Sequence, residues 1–210
     1  MSGERKPYIV GIVGGSGSGK TSFLRELLAR LPQGACSVVS QDNYYRSLDE
    51  QACDANGFPN FDLPTAIHRE RFFEDMCALV RGETITRTEY TFNDRERQGV
   101  RITVQPADVL IMEGLFVFHY EEVRALIDLR VFIDAKEEVC KARRIKRDAH
   151  ERGYLLEQVE YQWEHHVLPA YREFILPYRE EAHIIVDNHG HYEPGLEALI
   201  QRVMAKIAAI

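Results

Sequence analysis

Apolar residues recur along the chain in two rhythms that take turns. Tyr8-Ile9-Val10-Gly11-Ile12-Val13 is a short apolar run, the pattern of a strand covered on both faces. Directly after it, Phe23, Leu24, Leu27, Leu28 and Leu31 fall at i, i+1, i+4, i+5 and i+8, one face of a helix. The exchange continues to the end of the chain. Strands are expected at Tyr8–Val13, Ser37–Ser40, Asp108–Met112, Leu129–Ile133 and His183–Asp187. Helices are expected at Thr21–Leu31, Ile67–Arg81, Glu121–Ile127, Lys136–His150, Leu155–Ile175 and Pro194–Ala208, with Phe72, Phe73, Met76, Leu79 and Val80 on the buried side of the second. Strands separated by helices predict an α/β fold on a parallel sheet.

One stretch departs from this rhythm. Thr84–Tyr90 and Val100–Val104 both alternate residue by residue, with polar Thr91–Gly99 between them. That pattern predicts a β-hairpin with a long tip, inserted before the third sheet strand. Long polar loops tend to be functional. Asp49–Pro64 also reads as a loop, punctuated by Gly57, Pro59, Asn60 and Pro64.

Composition narrows the class. A chain of 210 residues fits one domain, 1–210, with an insertion or small lid, and shows no internal repeat. A net charge of −7 argues against a general nucleic-acid binder. Cys36, Cys53, Cys77 and Cys140 form no C-x-x-C pair and read as small buried or idle thiols of a reducing cytosol. The longest apolar stretch, Val109 to Phe118, is interrupted by Glu113 and is too short to span a bilayer. No signal-peptide pattern opens the sequence, so a cytoplasmic protein without membrane contact is expected. His165-His166 and His189-Gly190-His191 lack acidic or thiol companions and read as surface or satisfied histidines rather than metal ligands.

The chemistry begins between the first strand and the first helix. Gly14-Gly15-Ser16-Gly17-Ser18-Gly19-Lys20-Thr21 is G-x-x-x-x-G-K-[ST], the phosphate-binding P-loop, in the strand–loop–helix setting the motif requires. Glycines let backbone N–H groups turn toward phosphate oxygens, and the helix N-terminus adds orphan donors and a positive dipole end. Residues Gly14 to Ser22 are therefore expected to hold a nucleoside triphosphate, with Lys20 on the β and γ phosphates and Thr21 on Mg²⁺.

Four further places refine the reaction. Asp42 lies just past the second strand, where the ligand crevice of an open α/β sheet falls, and could take a proton from an attacking hydroxyl; an exposed loop or capping Asp is the competing reading. Glu113 ends an apolar strand, a costly place for an acid unless it is paired or near a metal, so it is a candidate Mg²⁺ ligand beside the alternative of a structural carboxylate. Lys141, Arg143, Arg144, Lys146, Arg147 and Arg152 crowd twelve residues, expected to close over the triphosphate rather than form a solvated basic face or an RNA patch. Tyr44, Tyr45, Phe58, Phe61, Asp62 and Tyr90 could stack on a base and accept bonds from ribose hydroxyls.

Taken in order, these stretches resemble the uridine kinase (uridine–cytidine kinase) family. The matching strings are Gly14–Thr21, Ser40-Gln41-Asp42-Asn43-Tyr44-Tyr45, Asn60-Phe61-Asp62-Leu63-Pro64, Pro106-Ala107-Asp108 leading to Glu113-Gly114, Arg143-Arg144-Ile145-Lys146-Arg147-Asp148 with Glu151-Arg152-Gly153, and Val167-Leu168-Pro169-Ala170, over roughly residues 8 to 188. The resemblance implies a P-loop NTPase-type three-layer sandwich with a five-stranded parallel sheet, an inserted hairpin at about 83–105 and a helical lid at about 141–166. It implies ATP-dependent phosphorylation of the 5′-hydroxyl of uridine or cytidine, in pyrimidine salvage, with Mg²⁺. It makes Asp42 the general base and a magnesium neighbour. Arg147 and Arg152 become triphosphate contacts, and Tyr45, Phe61, Asp62, Tyr90, Arg144 and Gln162 become nucleoside contacts. Family members are often tetramers.

The chain leaves the family pattern on the base side. Arg95 stands where a base-reading histidine is expected, and Arg152-Gly153-Tyr154 replaces the usual Arg-Gly-Arg. Arginine carries only donors, whereas neutral imidazole also accepts, so Arg95 would favour a carbonyl or anionic group. A P-loop kinase acting on another nucleoside, a sugar phosphate or a small alcohol is the alternative reading. A nucleotide-dependent switch is disfavoured because no Asn-Lys-x-Asp string is present.

Overall fold

The computed structural model describes residues 6–92 and 99–209. Arg95, the expected base-side residue of the hairpin, lies outside the described residues.

Five parallel strands form the sheet in the order β2-β5-β1-β6-β7. They are β1 (Tyr8–Gly14), β2 (Cys36–Ser40), β5 (Val109–Gly114), β6 (Leu129–Asp134) and β7 (Ile184–Asp187). All five stand where the apolar runs place them. β3 (Ile85–Thr88) and β4 (Arg101–Val104) pair antiparallel as the separate hairpin. Every residue of β5 is buried, which is why that strand reads as an uninterrupted apolar run.

Helices cover both faces. The face that presents Val10 and Ile12 packs against Phe23, Leu24 and Leu27 of α1 (Lys20–Arg30) and Leu196, Leu199 and Val203 of the carboxyl-terminal helix, Glu193–Ala208. The opposite face, with Ile9 and Val13, packs against Phe72, Met76 and Leu79 of α2 (Arg69–Val80), Val123 of α3 (Glu121–Arg124), and Ile85 of the hairpin. Leu28, expected on the buried stripe of α1, is 37% exposed at its edge. Asp75 is buried in α2 because Tyr44 donates to it at 2.6 Å and Arg87 pairs with its other oxygen.

The predicted continuous helix over 155–175 is a correction. α4 (Glu137–Glu151) is followed by α5 (Leu156–Gln162), which then widens into a π turn, Trp163–Val167. A short α6 (Leu168–Ala170) and a second π turn, Tyr171–Ile175, come next, and Leu176–Arg179 ends the segment as a 3₁₀ turn. Pro169 has no N–H to donate and its ring crowds the preceding turn, so the regular ladder cannot pass through it. The carboxyl-terminal helix is α7 in chain order.

Candidate active site

The carboxyl ends of β1, β2 and β5 converge on a cavity of about 700 Å³. Ligands of open α/β sheets bind at these strand ends. Ser16, Gly17, Gly19, Lys20, Thr21 and Ser22 form one wall. Gly17 and Gly19 hold φ of 77° and 92°, the left-handed region. A Cβ on Gly17 would stand 2.3 Å from the Cys140 carbonyl oxygen. Gly17→Ala is therefore expected to lose at least about 1–2 kcal/mol of stability from backbone strain alone. It should also weaken nucleotide binding, measured by calorimetry beside a thermal melt.

Side chains that line the same cavity fasten the loop. Asn188 donates from Nδ2 to the Ser18 carbonyl at 2.7 Å, and Arg143 reaches the same carbonyl at 3.4 Å. Lys20 donates from Nζ to the carbonyls of Gly14 and Gly15, at 2.8 and 3.1 Å. Gly14 ends β1, while Gly15 and Ser18 face a small apolar recess behind the loop with Cys140, Trp163 and Tyr171.

Asp42 lies in the 3₁₀ turn Gln41–Tyr44 and lines the same cavity as Lys20 and Thr21. The turn begins directly where β2 ends, so the strand aims it at the glycine loop. Ser40 joins the acids: its hydroxyl donates to Glu113, and the Asp42 N–H donates to that hydroxyl oxygen at 3.3 Å. Gln41 accepts from the Phe116 N–H at 2.8 Å and so pins the turn that follows Glu113.

Burial, then the nearby Asp42 charge, pushes the Glu113 carboxyl up to about 7, with Lys20 and the Ser40 hydrogen bond opposing. Burial lowers the Lys20 ammonium, against the attraction of Glu113 and Asp42. The raised Glu113 value has a definite sign. The fold binds that proton more tightly than the unfolded chain does, so this contribution is full below about pH 4.5 and is lost as pH rises through about 7. Glu113→Gln is expected to flatten that decline, worth about 1.4 kcal/mol per unit of pKa difference, in denaturant titrations at pH 5 and pH 8 without divalent cation.

Basic side chains close the cavity from α4. Arg144 is buried and binds four groups at once: Ser16 Oγ at 2.9 Å, Gln162 Oε1 at 3.1 Å, Asp148 at 3.2 Å and Asp62 at 3.5 Å. Asp148, 1% exposed, also meets Arg147 at 2.7 Å and Arg152 at 3.6 Å. Three arginines on one carboxylate leave an excess of positive charge beside the glycine loop, in a protein whose net charge is −7.

The far end is aromatic. Tyr45 stands with its ring centroid 5.8 Å from Phe61, 5.4 Å from Tyr90 and 5.3 Å from Phe92. Tyr45, Phe61, Asp62, Phe92, Tyr154 and Gln162 line the cavity, whereas Tyr90 packs behind Tyr45 and Phe92. The Arg152 guanidinium lies 3.8 Å from the Phe92 ring centre. Tyr44, packed on Phe72 and bonded to Asp75, and Phe58, 44% exposed beside Tyr161, do not line the cavity; apart from these and Arg95, the expected site residues gather around it or form the loop and cluster that back it.

Asp148, Asn188, His166 and Phe92 belong to this constellation although residue-type reasoning gave them no role. Asp148 sits inside the basic string, where a buried acid was the available signal. Nothing local marks Asn188, which reaches the loop across a sequence separation of 170. Among the described residues no group of three or more His, Cys, Asp or Glu could hold a metal by itself, and no helix is long and apolar enough to cross a membrane.

A glycine loop opening a helix at the carboxyl edge of this parallel sheet defines the class of P-loop nucleotide-binding α/β proteins. The fold is shared with a possible uridine kinase from Bacillus stearothermophilus, at a TM-score of 0.58 and 18% identity over 87% of this chain and 90% of that one. The model of the phosphoribulokinase / uridine kinase family matches residues 9–193. A uridine kinase of Deinococcus deserti is 35% identical over 99% of this chain and 100% of its own length. One of Leuconostoc citreum is 33% identical over 96% and 97%. The chain belongs to the phosphoribulokinase/uridine kinase family and is a phosphotransferase.

Proposed function

We propose that the protein transfers the γ-phosphoryl group of ATP to the 5′-hydroxyl of a pyrimidine ribonucleoside, uridine or cytidine, as a step of pyrimidine salvage. The observation that carries this reading is a single cavity with a glycine loop and arginines at one end, an aromatic pocket with Asp62 at the other, and Asp42 lining it beside Lys20. The uridine kinase names of the relatives support the choice of acceptor.

In this reading the backbone N–H groups of Ser16 to Thr21 hold the phosphates, and Lys20, Arg147 and Arg152 bear the charge that develops on the transferred group. Asp42 orients the 5′-hydroxyl and accepts its proton at a carboxylate oxygen. Asp62 accepts from the ribose hydroxyls, while Tyr45 and Phe61 flank the base. Arg144 and Gln162 complete the nucleoside side. Thr21, Asp42 and Glu113 offer the hard oxygen donors that suit Mg²⁺, which is ordinarily bound by one or two carboxylates together with substrate phosphates. Bound there, Mg²⁺ would supply charge neutralisation on the phosphate oxygens. Ser40 holds the Glu113 carboxylate in place for that task.

An acceptor panel with ATP and Mg²⁺ tests the proposal: uridine, cytidine, their deoxy forms and several sugar phosphates, followed as monophosphate or bisphosphate formation. Uridine or cytidine is expected to give the highest kcat/KM. Turnover of a sugar phosphate with both nucleosides inert would refute it.

A further inference from the structure

The aromatic end of the cavity holds a histidine that the mechanism above does not use. His166 is 2% exposed, yet its ring lines the cavity together with Gln162, which lies one turn earlier on the same helical run. The residue sits in the π turn Trp163–Val167, so the widened backbone around Pro169 is what sets its position. Its Nε2 lies 2.8 Å from Asp54 Oδ2. Asp54 belongs to the loop that also carries Pro59, Phe61 and Asp62 into the cavity.

The hydrogen bonds around Asp54 decide which ring nitrogen bears the proton. Asp54 Oδ1 accepts from the backbone N–H groups of Asn56 and Phe58, both at 2.9 Å. Oδ2 accepts from the Tyr161 hydroxyl at 2.7 Å, and that hydroxyl in turn accepts from Asn56 Nδ2 at 2.7 Å. Burial pushes the Asp54 carboxyl up, but the bonds from Tyr161, His166, Phe58 and Asn56 outweigh it and hold the group below its usual range. An ionised carboxylate is an acceptor only, so Nε2 must carry its hydrogen toward Asp54. In the neutral ring Nδ1 is then a bare lone pair. Among the described residues Nδ1 has no hydrogen-bond partner.

We infer that His166, with its tautomer set by Asp54, is a specificity-determining residue that accepts a hydrogen bond from an N–H donor on the base of the acceptor nucleoside. The inference rests on the nucleoside reading proposed above and names the group that reads the base. It gives the pocket an acceptor in a chain where position 95 is arginine, a residue that can only donate. For uracil the matching donor is N3–H. For cytosine it is the exocyclic amino group.

A substrate pair isolates that bond. Uridine and 3-methyluridine differ by the N3 hydrogen, and a site built around a buried acceptor discriminates against a partner unable to satisfy it. The wild-type protein is expected to prefer uridine by at least about tenfold in kcat/KM. His166→Phe fills the same space without a nitrogen and should bring the ratio within about threefold, with KM for ATP unchanged. His166→Asn keeps a side-chain acceptor near the Nδ1 position and should retain most of the preference, which also covers the case in which the Phe variant fails to fold. Asp54→Asn should weaken the preference by releasing the tautomer. A wild-type ratio in His166→Phe, or equal loss in His166→Asn and His166→Phe, would overturn the assignment while leaving the nucleoside kinase reading intact. A wild-type protein inert toward uridine and cytidine alike would overturn that reading and this inference with it.

Discussion

Asp42→Asn is expected to lower kcat by about 10²–10⁴-fold, the usual cost of removing a general base. Asp42 lies in the turn just past β2, two residues after Ser40, whose hydroxyl contacts Glu113, and it lines the same cavity as Lys20 and Thr21. Asparagine keeps the shape and the 3₁₀ turn, including the backbone N–H that donates to Ser40. It removes only the ability to accept a proton and one negative charge near Glu113. In the proposed mechanism ATP is held chiefly by the glycine loop and the basic side chains of α4, so KM for ATP should stay within a few-fold. Steady-state kinetics with each substrate varied in turn, beside a direct nucleotide-binding measurement, separates the two effects. Turnover within threefold of wild type would remove Asp42 from the mechanism.

Arg144→Ala is expected to give the largest loss of stability of any single change at the site, about 3–5 kcal/mol. Its side chain is 9% exposed and lies between the carboxylates of Asp62 and Asp148, themselves 8% and 1% exposed. Truncation leaves both nearly buried acids with fewer partners, and it opens a void where the guanidinium stood. For a chain of this size that corresponds to a fall in melting temperature of about 10 °C. The exposed pair Arg81–Glu83 supplies the control, since surface pairs contribute little: Arg81→Ala should leave the melting temperature unchanged. Kinetics add a second readout. Arg144 holds Ser16 in the glycine loop and Gln162 at the aromatic end. Its loss should therefore raise KM for both substrates, whereas removal of a group serving one substrate would raise only one. An Arg144→Ala protein that melts with the wild type would show the buried network to be energetically idle.

The two kinds of site residue differed in how visible they were in the chain. The glycine loop was legible because its demands are local: a buried strand, four tightly spaced glycines with a lysine, and a helix start within fifteen residues. Asp42 and Glu113 were legible as acids at strand ends, a position with a cost that calls for a partner. His166 was not, because one histidine beside another says nothing about what it faces. Its significance comes from Asp54, 112 residues away. The base-side departure at Tyr154 could be read as a substitution, yet its place beside Arg152 and Asp148 on the cavity wall needed the fold.

Hydrophobic periodicity alone determined the number, kind and chain positions of the sheet strands, because burial of an apolar face acts over a few residues and repeats with the local geometry; their order across the sheet came from the fold. The break in the helix at Pro169 escaped it. A π turn leaves the apolar spacing nearly intact, and whether proline ends a helix or widens it depends on what packs around it. Tertiary structure alone decided the long-range polar contacts: that Arg144 reaches Ser16 and Asp62, that Ser40 bridges to Glu113, and that Asn188 braces the loop. Those contacts join segments more than a hundred residues apart or cross from one element to another, and electrostatic pairing leaves no periodic trace along a chain.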